Sequence, residues 1–429
     1  KYNSRFYPFN ELASQIIGYT NKFNQGITGI ESYYDYILKA EEKQSIYHRR
    51  KSGERNTSLY HDQPILIPGS DITLTLDMKL QCILQDELLK ALENCNAKSA
   101  NGIIINPFNG EILAAASVPS LNLNEYSNFP VGTQRNTVFT DAYAPGSTFK
   151  IVALATGIEE DLLGYDNQYD CENGSYGIHG LNLRDTEEHE KLTVREIIMK
   201  SSNIGIAKMV SGYPKKMVYD YARKFGFGEK TGILVDGEAE GKLHPLNSWS
   251  QVSHIYISIG QELTATTLQT ALAYSVIANG GFLVKPILTK SISRQDEIIF
   301  ENQPEVVRRV ISEETANKIV SILVDVVREG SGYKANIPGY LIAGKTGTSE
   351  TFINGKKSST DFIPSFAGIF PANNPEYVCV VSINTPQFGK HWGSESAAPT
   401  VKNIFQRIIS DSDKFHPESF SRESKKINI

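Results

Sequence analysis

Cysteine is scarce in the sequence and never occurs at the spacings typical of metal or redox sites. The four cysteines include no Cys-x-x-Cys pair, so neither a zinc site nor a thioredoxin-type motif is supported. Cys82 and Cys95 fall on one predicted helix, roughly 20 Å apart, which is too far for a disulfide. A pairing of Cys171 with Cys379 stays open, and the cysteine count assigns no redox compartment.

Long apolar runs and an excess of one charge are also missing. No run approaches the roughly 18 residues that cross a bilayer, and the N-terminus has no signal-peptide pattern. Because the chain begins at Lys1 rather than Met, we expect a processed or truncated form. The net charge of −5 gives no global attraction to nucleic acid, and the 40% apolar content suffices for a large core.

The order of predicted elements indicates one mixed sheet covered by helices, an α/β (α+β) fold. Strands are predicted near both ends of the main region and helices between them. The predicted strands are Ile72–Leu76, Gly102–Asn106, Ile112–Ala116, Tyr340–Thr348, Ser365–Phe370 and Tyr377–Ile383. The predicted helices are a helix from the Asp77 cap to Cys95, Ser147–Ile158, Thr193–Ile198, Ile204–Met209, Thr266–Ala278, a helix from the Ser312 cap to Arg328, and Val401–Ile409. Residues 165–190 and 351–363 are predicted to be polar loops.

The ends of the chain differ in composition from this region. Residues 1–65 are rich in Tyr, Asn and Lys, with a short helix predicted at Glu11–Ile17 and a basic cluster at His48–Lys51 that we interpret as a solvated loop. From residue 411 to residue 429 the chain is polar and charged, and we predict a frayed tail. The length predicts about two to three domains.

Ser147 and Lys150 form the first candidate catalytic pair. Pro145 and Gly146 interrupt the chain, and an apolar helix-forming run follows. Residues three apart share one helix face. A serine needs a nearby base to become a nucleophile, and a lysine of lowered pKa can be that base. The unpaired N–H groups of a first helical turn can stabilise an oxyanion.

Two further motifs supply the groups that serine–lysine acyl transfer needs. Ser201-Ser-Asn203 offers a hydroxyl and an amide for proton transfer and substrate binding. Lys345-Thr-Gly-Thr348 offers an ammonium, two hydroxyls and a glycine that lets a substrate backbone approach the strand.

Each motif has other copies in the chain, and order and context discriminate among them. Ser331 and Lys334 repeat the first spacing, but no helix signal follows, so we interpret them as a solvated polar face. Lys230-Thr-Gly232 follows a glycine-rich turn, whereas the copy at Lys345 ends an apolar strand. Further Ser-x-Asn copies stand at Ser99–Asn101, Ser120–Asn122 and Ser382–Asn384.

With these motifs in this order, the chain resembles the class B penicillin-binding proteins, which are peptidoglycan D,D-transpeptidases. The resemblance covers roughly residues 66–410. It includes Leu74–Asp77, Asn109–Ala114, Arg135–Asn136, Phe225–Gly228, Thr231–Gly232, Ser258–Gln261, Ala278–Gly281, Ala343–Thr348 and Ser365–Gly368. Arg5–Pro8 and Gly26–Glu31 resemble the end of the pedestal domain of class B members, so residues 1–65 are expected to be its C-terminal part, residues 66–410 the transpeptidase domain.

The resemblance implies a penicillin-binding-protein or serine β-lactamase-like fold with a mainly antiparallel central sheet, and a role for each motif. Ser147 would attack the carbonyl between two terminal D-alanines of a stem peptide, with Lys150 as base. Ser201 and Asn203 would relay protons and hold substrate. Lys345, Thr346 and Thr348 would bind the terminal carboxylate beside Gly347, and the backbone N–H groups of Ser147 and Thr348 would form the oxyanion hole. No metal or cofactor is implied.

The resemblance also implies a place and partners. Class B members are held in the bacterial inner membrane by one N-terminal helix, absent from this chain, with the catalytic domain on the periplasmic side. Thr193–Glu196 and Ser201–Gly205 look more like the division-specific branch (that of penicillin-binding protein 3) than the elongation branch. Partners would be stem peptides and nascent glycan strands, β-lactam antibiotics, a membrane glycan polymerase and divisome proteins, with no nucleic acid.

Several alternatives remain open from the sequence. An elongation-type transpeptidase, a D,D-carboxypeptidase, a β-lactamase and a β-lactam sensor use the same nucleophile. A class A β-lactamase carries Glu-x-x-x-Asn soon after Ser-x-Asn, whereas the later copy Glu313–Asn317 lies at a capped helix start. A catalytically silent scaffold would not need intact motifs.

Overall fold

The structure is a computed structural model that describes residues 5–43, 65–164, 167–353 and 356–415. The predicted basic cluster His48–Lys51 lies outside these residues. Within the described ranges, no helix is both long and apolar enough to cross a bilayer.

A five-stranded antiparallel sheet forms the centre of the molecule, as the sequence predicts. Its strands, in spatial order, are Ala343–Ile353, Lys356–Phe370, Tyr377–Asn384, Ser99–Ile105 and Ile112–Val118. The strands from both ends of the chain meet where Val380 pairs with Ile103. The predicted hairpin at Asn109-Gly110 joins the last two strands.

Helices cover both faces of this sheet, which confirms the predicted α/β fold class. Met78–Asn94 and Ala397–Ser410 pack on one face, and Thr267–Ala278 and Glu313–Arg328 pack on the other. Alternate residues of one strand serve the two cores, with Ile103 and Ile105 in one and Ile104 in the other. Burial on both faces explains why this strand is a continuous apolar run rather than an alternating one.

The predicted helix starts carry the expected caps. The Asp77 side chain accepts from Leu80 N–H, and Ser312 accepts from Thr315 N–H. The remaining described α-helices are Ser14–Ile17, Gly29–Tyr33, Asp35–Leu38, Thr137–Thr140, Lys150–Glu159, Val194–Lys200, Asn203–Val210, Lys215–Lys224 and Ser253–Ser258.

Shorter strands form small sheets around the central one. Asp71–Leu74, Thr289–Arg294 and Glu297–Glu301 form one sheet, and Lys242–Leu243, Leu263–Thr266 and Ala142–Tyr143 form another. The two-stranded pairs are Glu41–Lys43 with Ile65–Ile67, Gln168–Asp170 with Lys191–Thr193, Ser175–Ile178 with Leu181–Arg184, and Phe282–Val284 with Val306–Arg309.

The two predicted polar loops are wrong. Residues 165–190 contain a short strand and the hairpin of Ser175–Ile178 with Leu181–Arg184. Residues 351–353 and 356–363 extend the pairing of strands Ala343–Ile353 and Lys356–Phe370. Both hairpins are held by hydrogen bonds to a neighbouring strand, which polar residues form as well as apolar ones, so composition alone does not reveal them.

The four cysteines are free thiols, and Cys171 and Cys379 lie in different cores. The pairing left open by the sequence is therefore not made. Helix Ser14–Ile17 ends at Gly18, as predicted, although it begins three residues later than the predicted start at Glu11.

The C-terminal segment packs beyond the predicted start of the tail. Phe415 is only 2% exposed, and its ring centroid lies 5.2 Å from that of Phe370. The tail from residue 411 is therefore packed at least as far as residue 415.

This packing predicts that Phe415→Ala lowers the free energy of unfolding by about 3 kcal/mol, since it removes a buried ring from a filled core. Phe388→Ala is the matched control, because Phe388 is 93% exposed and should change stability by less than about 0.5 kcal/mol. Denaturant unfolding of both variants measures the difference, and equal effects would show that Phe415 does not pack as described.

Candidate active site

The turn that carries Ser147 leads directly into a buried helix. Gly146–Phe149 forms one turn of 3-10 helix, and Lys150–Glu159 continues as α-helix, so the predicted helix is confirmed. Ser147 is half-buried, whereas Lys150 is fully buried. The predicted nucleophile therefore stands at the edge of the core and the predicted base inside it.

Two lysines share one serine hydroxyl beneath this turn. Lys150 Nζ donates to the Ser201 carbonyl at 2.6 Å and to Ser201 Oγ at 3.2 Å. Lys345 Nζ, also fully buried, donates to the same Oγ at 2.8 Å. Among the described residues no hydrogen bond joins Ser147 Oγ to Lys150 Nζ; catalytic hydrogen bonds are often long before substrate binds.

The surroundings lower the pKa of both amines. Burial lowers the pKa of Lys150 to about 7, against the opposing attraction of Asp185. Burial and the neighbouring Lys150 hold the pKa of Lys345 well below its ordinary value. Two adjacent buried ammonium groups repel each other, so a single proton on the pair is favoured near neutral pH. One amine is then free to accept a proton.

Ser201 lies at a sharp junction between two helices. Helix Val194–Lys200 ends at Ser201, whose φ of 59° and ψ of 33° place it in the left-handed region. That conformation costs a non-glycine residue roughly 1–2 kcal/mol. Helix Asn203–Val210 begins at once, with Ser202 as its N-cap. The junction directs the Ser201 hydroxyl to the two lysines and leaves Asn203 at the edge of a cleft.

The two threonines of the third motif differ in their hydrogen bonds. Thr346 Oγ1 donates to Ser331 Oγ at 3.1 Å. Thr348 Oγ1 accepts from the Gly393 N–H at 3.1 Å. An oxygen that accepts from a backbone amide keeps its own O–H for another partner, so Thr348 can donate to a ligand in the cleft.

Gly347 is needed by the packing of the protein itself. A Cβ at this position would lie 2.4 Å from Ser365 Oγ and 2.9 Å from Thr148 Cγ2. The sequence predicts that this glycine allows a substrate backbone to approach closely. The packing adds a second reason, because the strand and the Ser147 turn meet with no room for a side chain.

Three backbone segments converge at the predicted oxyanion site. Gly146 has a φ of +56°, and a Cβ there would lie 2.8 Å from the Thr348 carbonyl oxygen. Gly146 N–H donates to the Gly260 carbonyl at 3.1 Å, and a Cβ on Gly260 would lie 1.9 Å from the Gly146 oxygen. The approach of Gly260 to Gly146 therefore holds the Ser147 turn close to the strand of Thr348.

A cleft of about 1460 Å³ opens at this junction. Its walls are the Ser175–Arg184 hairpin with the following loop, the segment 242–264 and the strand ends near Thr348. Its lining includes Tyr143, Ala144, Asp185, Asn203, Trp249, Tyr256, Glu262, Thr348, Glu350, Phe362 and Trp392. A cleft of this size accommodates a peptide-sized ligand.

The second copies of the first and third motifs, at Ser331 and at Lys230, differ in their distance from the site. Lys230 is exposed in the loop after the turn at Phe225–Gly228, which favours Lys345 as the site residue. The solvated polar face predicted for Ser331 is wrong, because Ser331 contacts Thr346 and its N–H donates to the Met199 carbonyl. Lys334 pairs with Glu395 at 2.5 Å.

Sequence reasoning missed Asp185, whose carboxylate contacts the Ser201–Asn203 junction. It lies in the region read as a polar loop. The alternation of Leu181 and Leu183 after Gly180 is a hairpin signal that could have revealed the strand that positions it.

Comparison with known proteins identifies the class to which this fold and site belong. The penicillin binding protein transpeptidase domain matches residues 102–406, and the penicillin-binding protein dimerisation domain matches residues 1–74. The chain therefore belongs to the class B penicillin-binding proteins.

Individual relatives agree with that assignment. The chain is 33% identical to stage V sporulation protein D of Bacillus subtilis over 95% of its length, and 31% identical to the peptidoglycan D,D-transpeptidase FtsI of Escherichia coli strain K12 over 94%. It spans 64% and 67% of those two proteins. Penicillin-binding protein 3 of Mycobacterium tuberculosis superposes with a TM-score of 0.82 at 30% identity, covering 95% of this chain and 90% of that one.

The convergence at Gly146 predicts that Gly260→Ala slows acylation by penicillin about tenfold or more, because a Cβ would push the Ser147 turn away from Thr348. Gly237→Ala is the matched control: its φ is +75°, but the nearest atom to a Cβ is 3.6 Å away. Labelling rates and melting temperatures of both variants are compared. Equal labelling would show that this contact does not set the site.

Proposed function

We propose that this protein is a peptidoglycan D,D-transpeptidase that forms an acyl-enzyme at Ser147 and cross-links stem peptides during septal wall synthesis. The observation that carries the proposal is the pair of buried lysines on one serine hydroxyl, beside a half-buried serine at a helix start. The name of the E. coli relative supports the reaction, and penicillin-binding protein 3 of M. tuberculosis, solved in complex with ampicillin, supports β-lactam binding.

The proposed acylation step uses each of these groups. Ser147 Oγ attacks the carbonyl between the two D-alanines while neutral Lys150 accepts its proton. The Ser147 and Thr348 N–H groups stabilise the oxyanion. Ser201 Oγ, within reach of both amines, relays a proton to the leaving nitrogen, and D-alanine departs as the acyl ester forms.

Substrate binding favours the active protonation state. The terminal carboxylate binds near Thr346 and Thr348, where Thr348 keeps a hydroxyl hydrogen to donate. A negative charge there stabilises the proton on Lys345, since Lys345 Nζ lies 3.2 Å from the Thr346 carbonyl oxygen and 3.4 Å from Thr346 Oγ1. The shared proton then leaves Lys150 neutral, and Asn203 at the cleft edge holds the donor peptide.

Cross-linking completes the reaction. An amine of a neighbouring stem peptide enters the cleft and attacks the acyl ester, Lys150 or Ser201 takes its proton, and Ser147 is released with its proton restored. The products are a new amide bond between two strands and the free D-alanine of the first step. No metal or cofactor has a role in these steps.

The geometry opposes Glu313 as a β-lactamase base. Ser312, next to Glu313, binds the Glu159 carboxylate at the far end of the active-site helix. Twelve residues of helix separate that end from Ser147, which is roughly 18 Å. Glu313 therefore cannot activate water at an ester on Ser147.

The cellular setting is proposed by analogy with the relatives. We propose residues 1–65 as the end of a pedestal domain, residues 66–410 as the transpeptidase domain and residues 411–429 as a tail, and an N-terminal membrane anchor that places the site on the periplasmic side. A membrane glycan polymerase and divisome proteins are the proposed partners, as expected of a division-specific member. The name penicillin-binding protein 3, given to the structural relative, agrees with the division-specific branch that the motifs of this chain resemble.

The proposal predicts one penicilloyl group per chain, on Ser147, with an adduct that persists for many minutes and negligible turnover of penicillin. Intact-mass analysis beside the absorbance of free benzylpenicillin measures both quantities. Ser147→Ala should abolish the adduct with little change in melting temperature, whereas Ser331→Ala should keep it. Steady hydrolysis with a vanishing adduct would identify a β-lactamase instead, and release of D-alanine without cross-linking would identify a carboxypeptidase.

Lys345→Ala is predicted to slow acylation about a hundredfold. The substitution removes a carboxylate partner and also the second amine of the pair, so the one shared proton can no longer move from Lys150 to Lys345. Lys230→Ala, in the exposed copy of the motif, should acylate like the wild type. Labelling rates of the two variants are compared, and loss of labelling in the Lys230 variant alone would place the carboxylate-binding lysine at Lys230 instead.

The rate of acylation is predicted to rise with pH to a plateau, with its midpoint near the pKa of about 7 of Lys150. Below the midpoint Lys150 holds a proton and cannot accept another, so the rate falls about tenfold per pH unit. Stopped-flow acylation by penicillin between about pH 5 and pH 9 tests this. A rate still rising at the upper limit, as a lysine with an ordinary pKa requires, would contradict it.

A further inference from the structure

The Asp185 carboxylate makes three hydrogen bonds to the junction that holds Ser201. Oδ1 accepts from the N–H of Asn203 at 2.5 Å and from the N–H of Ile204 at 3.1 Å. Oδ2 accepts from the hydroxyl of Ser202. Both carboxylate oxygens are thus committed to one turn of the chain.

These contacts help to hold Ser201, the residue before them, in its strained conformation. Ser201 is held in the left-handed region, where a non-glycine residue persists only when its surroundings hold it there. Ser202 Oγ caps the helix by accepting from Gly205 N–H at 2.8 Å. Asp185 binds the two earlier N–H groups and orients that same hydroxyl, so it anchors the turn immediately after Ser201.

We propose that Asp185 is a positioning residue for acyl transfer: its carboxylate anchors the Ser201–Asn203 turn so that Ser201 Oγ stays between the two lysines, and its charge balances the positive charge in the buried site. The inference rests on the proposed function, because its consequences are measured on acylation at Ser147.

The electrostatic part follows from the charged groups around Lys150. Asp185, from the loop after the Ser175–Arg184 hairpin, attracts the proton on Lys150 and raises the pKa against the effect of burial. The charge on Lys150 in turn lowers the pKa of Lys345 on the facing strand. Cys171 lies behind, where Ser202 Oγ contacts its sulfur at 3.6 Å and burial raises the pKa of the thiol. Loss of the Asp185 charge therefore lowers the pKa of Lys150.

Two substitutions separate the charge from the hydrogen bonds. Asp185→Asn keeps an oxygen for the two N–H groups but removes the charge, and Asp185→Glu keeps the charge but displaces the carboxylate. Glu188→Gln is the matched control, since it removes an exposed carboxylate from the same loop. Acylation by a fluorescent penicillin is followed as a function of pH, and the melting temperature of each variant is measured.

We expect Asp185→Asn to move the midpoint of the pH profile to lower pH and to reduce the plateau rate about tenfold or more. Asp185→Glu should keep the wild-type midpoint with a reduced plateau, and Glu188→Gln should match the wild type in both. A turn that is merely destabilised would lower the melting temperature without moving the midpoint.

Three results would overturn the inference. They are an unchanged midpoint in Asp185→Asn, an unchanged plateau in both Asp185 variants, or loss of folding in both, which would show that the carboxylate holds the domain rather than the site. Failure of the proposed function is a separate result, because the wild-type protein itself would then carry no adduct on Ser147.

Discussion

The burial of two lysine side chains around one hydroxyl is the constraint on which the rest of the site depends. Lys150 and Lys345 are both fully buried, and each reaches Ser201 Oγ. An ammonium ion loses most of its hydration on burial, and a second one nearby adds repulsion. Burial therefore lowers the pKa of both amines, so that one of them is available as a neutral base.

The fold buries this arrangement at a point where three parts of the chain meet. The helix beginning at Lys150 brings one amine, the edge strand Ala343–Ile353 brings the other, and a junction between two helices brings Ser201. The strand and the turn before the helix approach so closely that glycines are required at Gly146 and Gly347. Backbone packing therefore sets the distances on which proton transfer relies.

The strained conformation of Ser201 and the anchoring of the turn beside it act together. The left-handed conformation of Ser201 points its hydroxyl at the lysines, and the adjoining helix start is held by Ser202 and Asp185. A carboxylate there also offsets the positive charge of the pair. Geometry and electrostatics are thus coupled through one loop, and a change in that loop alters both.

The sequence by itself determined the strands of the central sheet and the capped helices, because hydrophobic periodicity and caps are local signals. The order of the motifs along the chain selected Ser147, Lys150, Ser201 and Lys345 as candidates. Tertiary structure alone decided the contact of Ser331 with Thr346 and the place of Asp185. Those contacts arise from hydrogen bonds between separate segments, and no local pattern encodes which segments will meet.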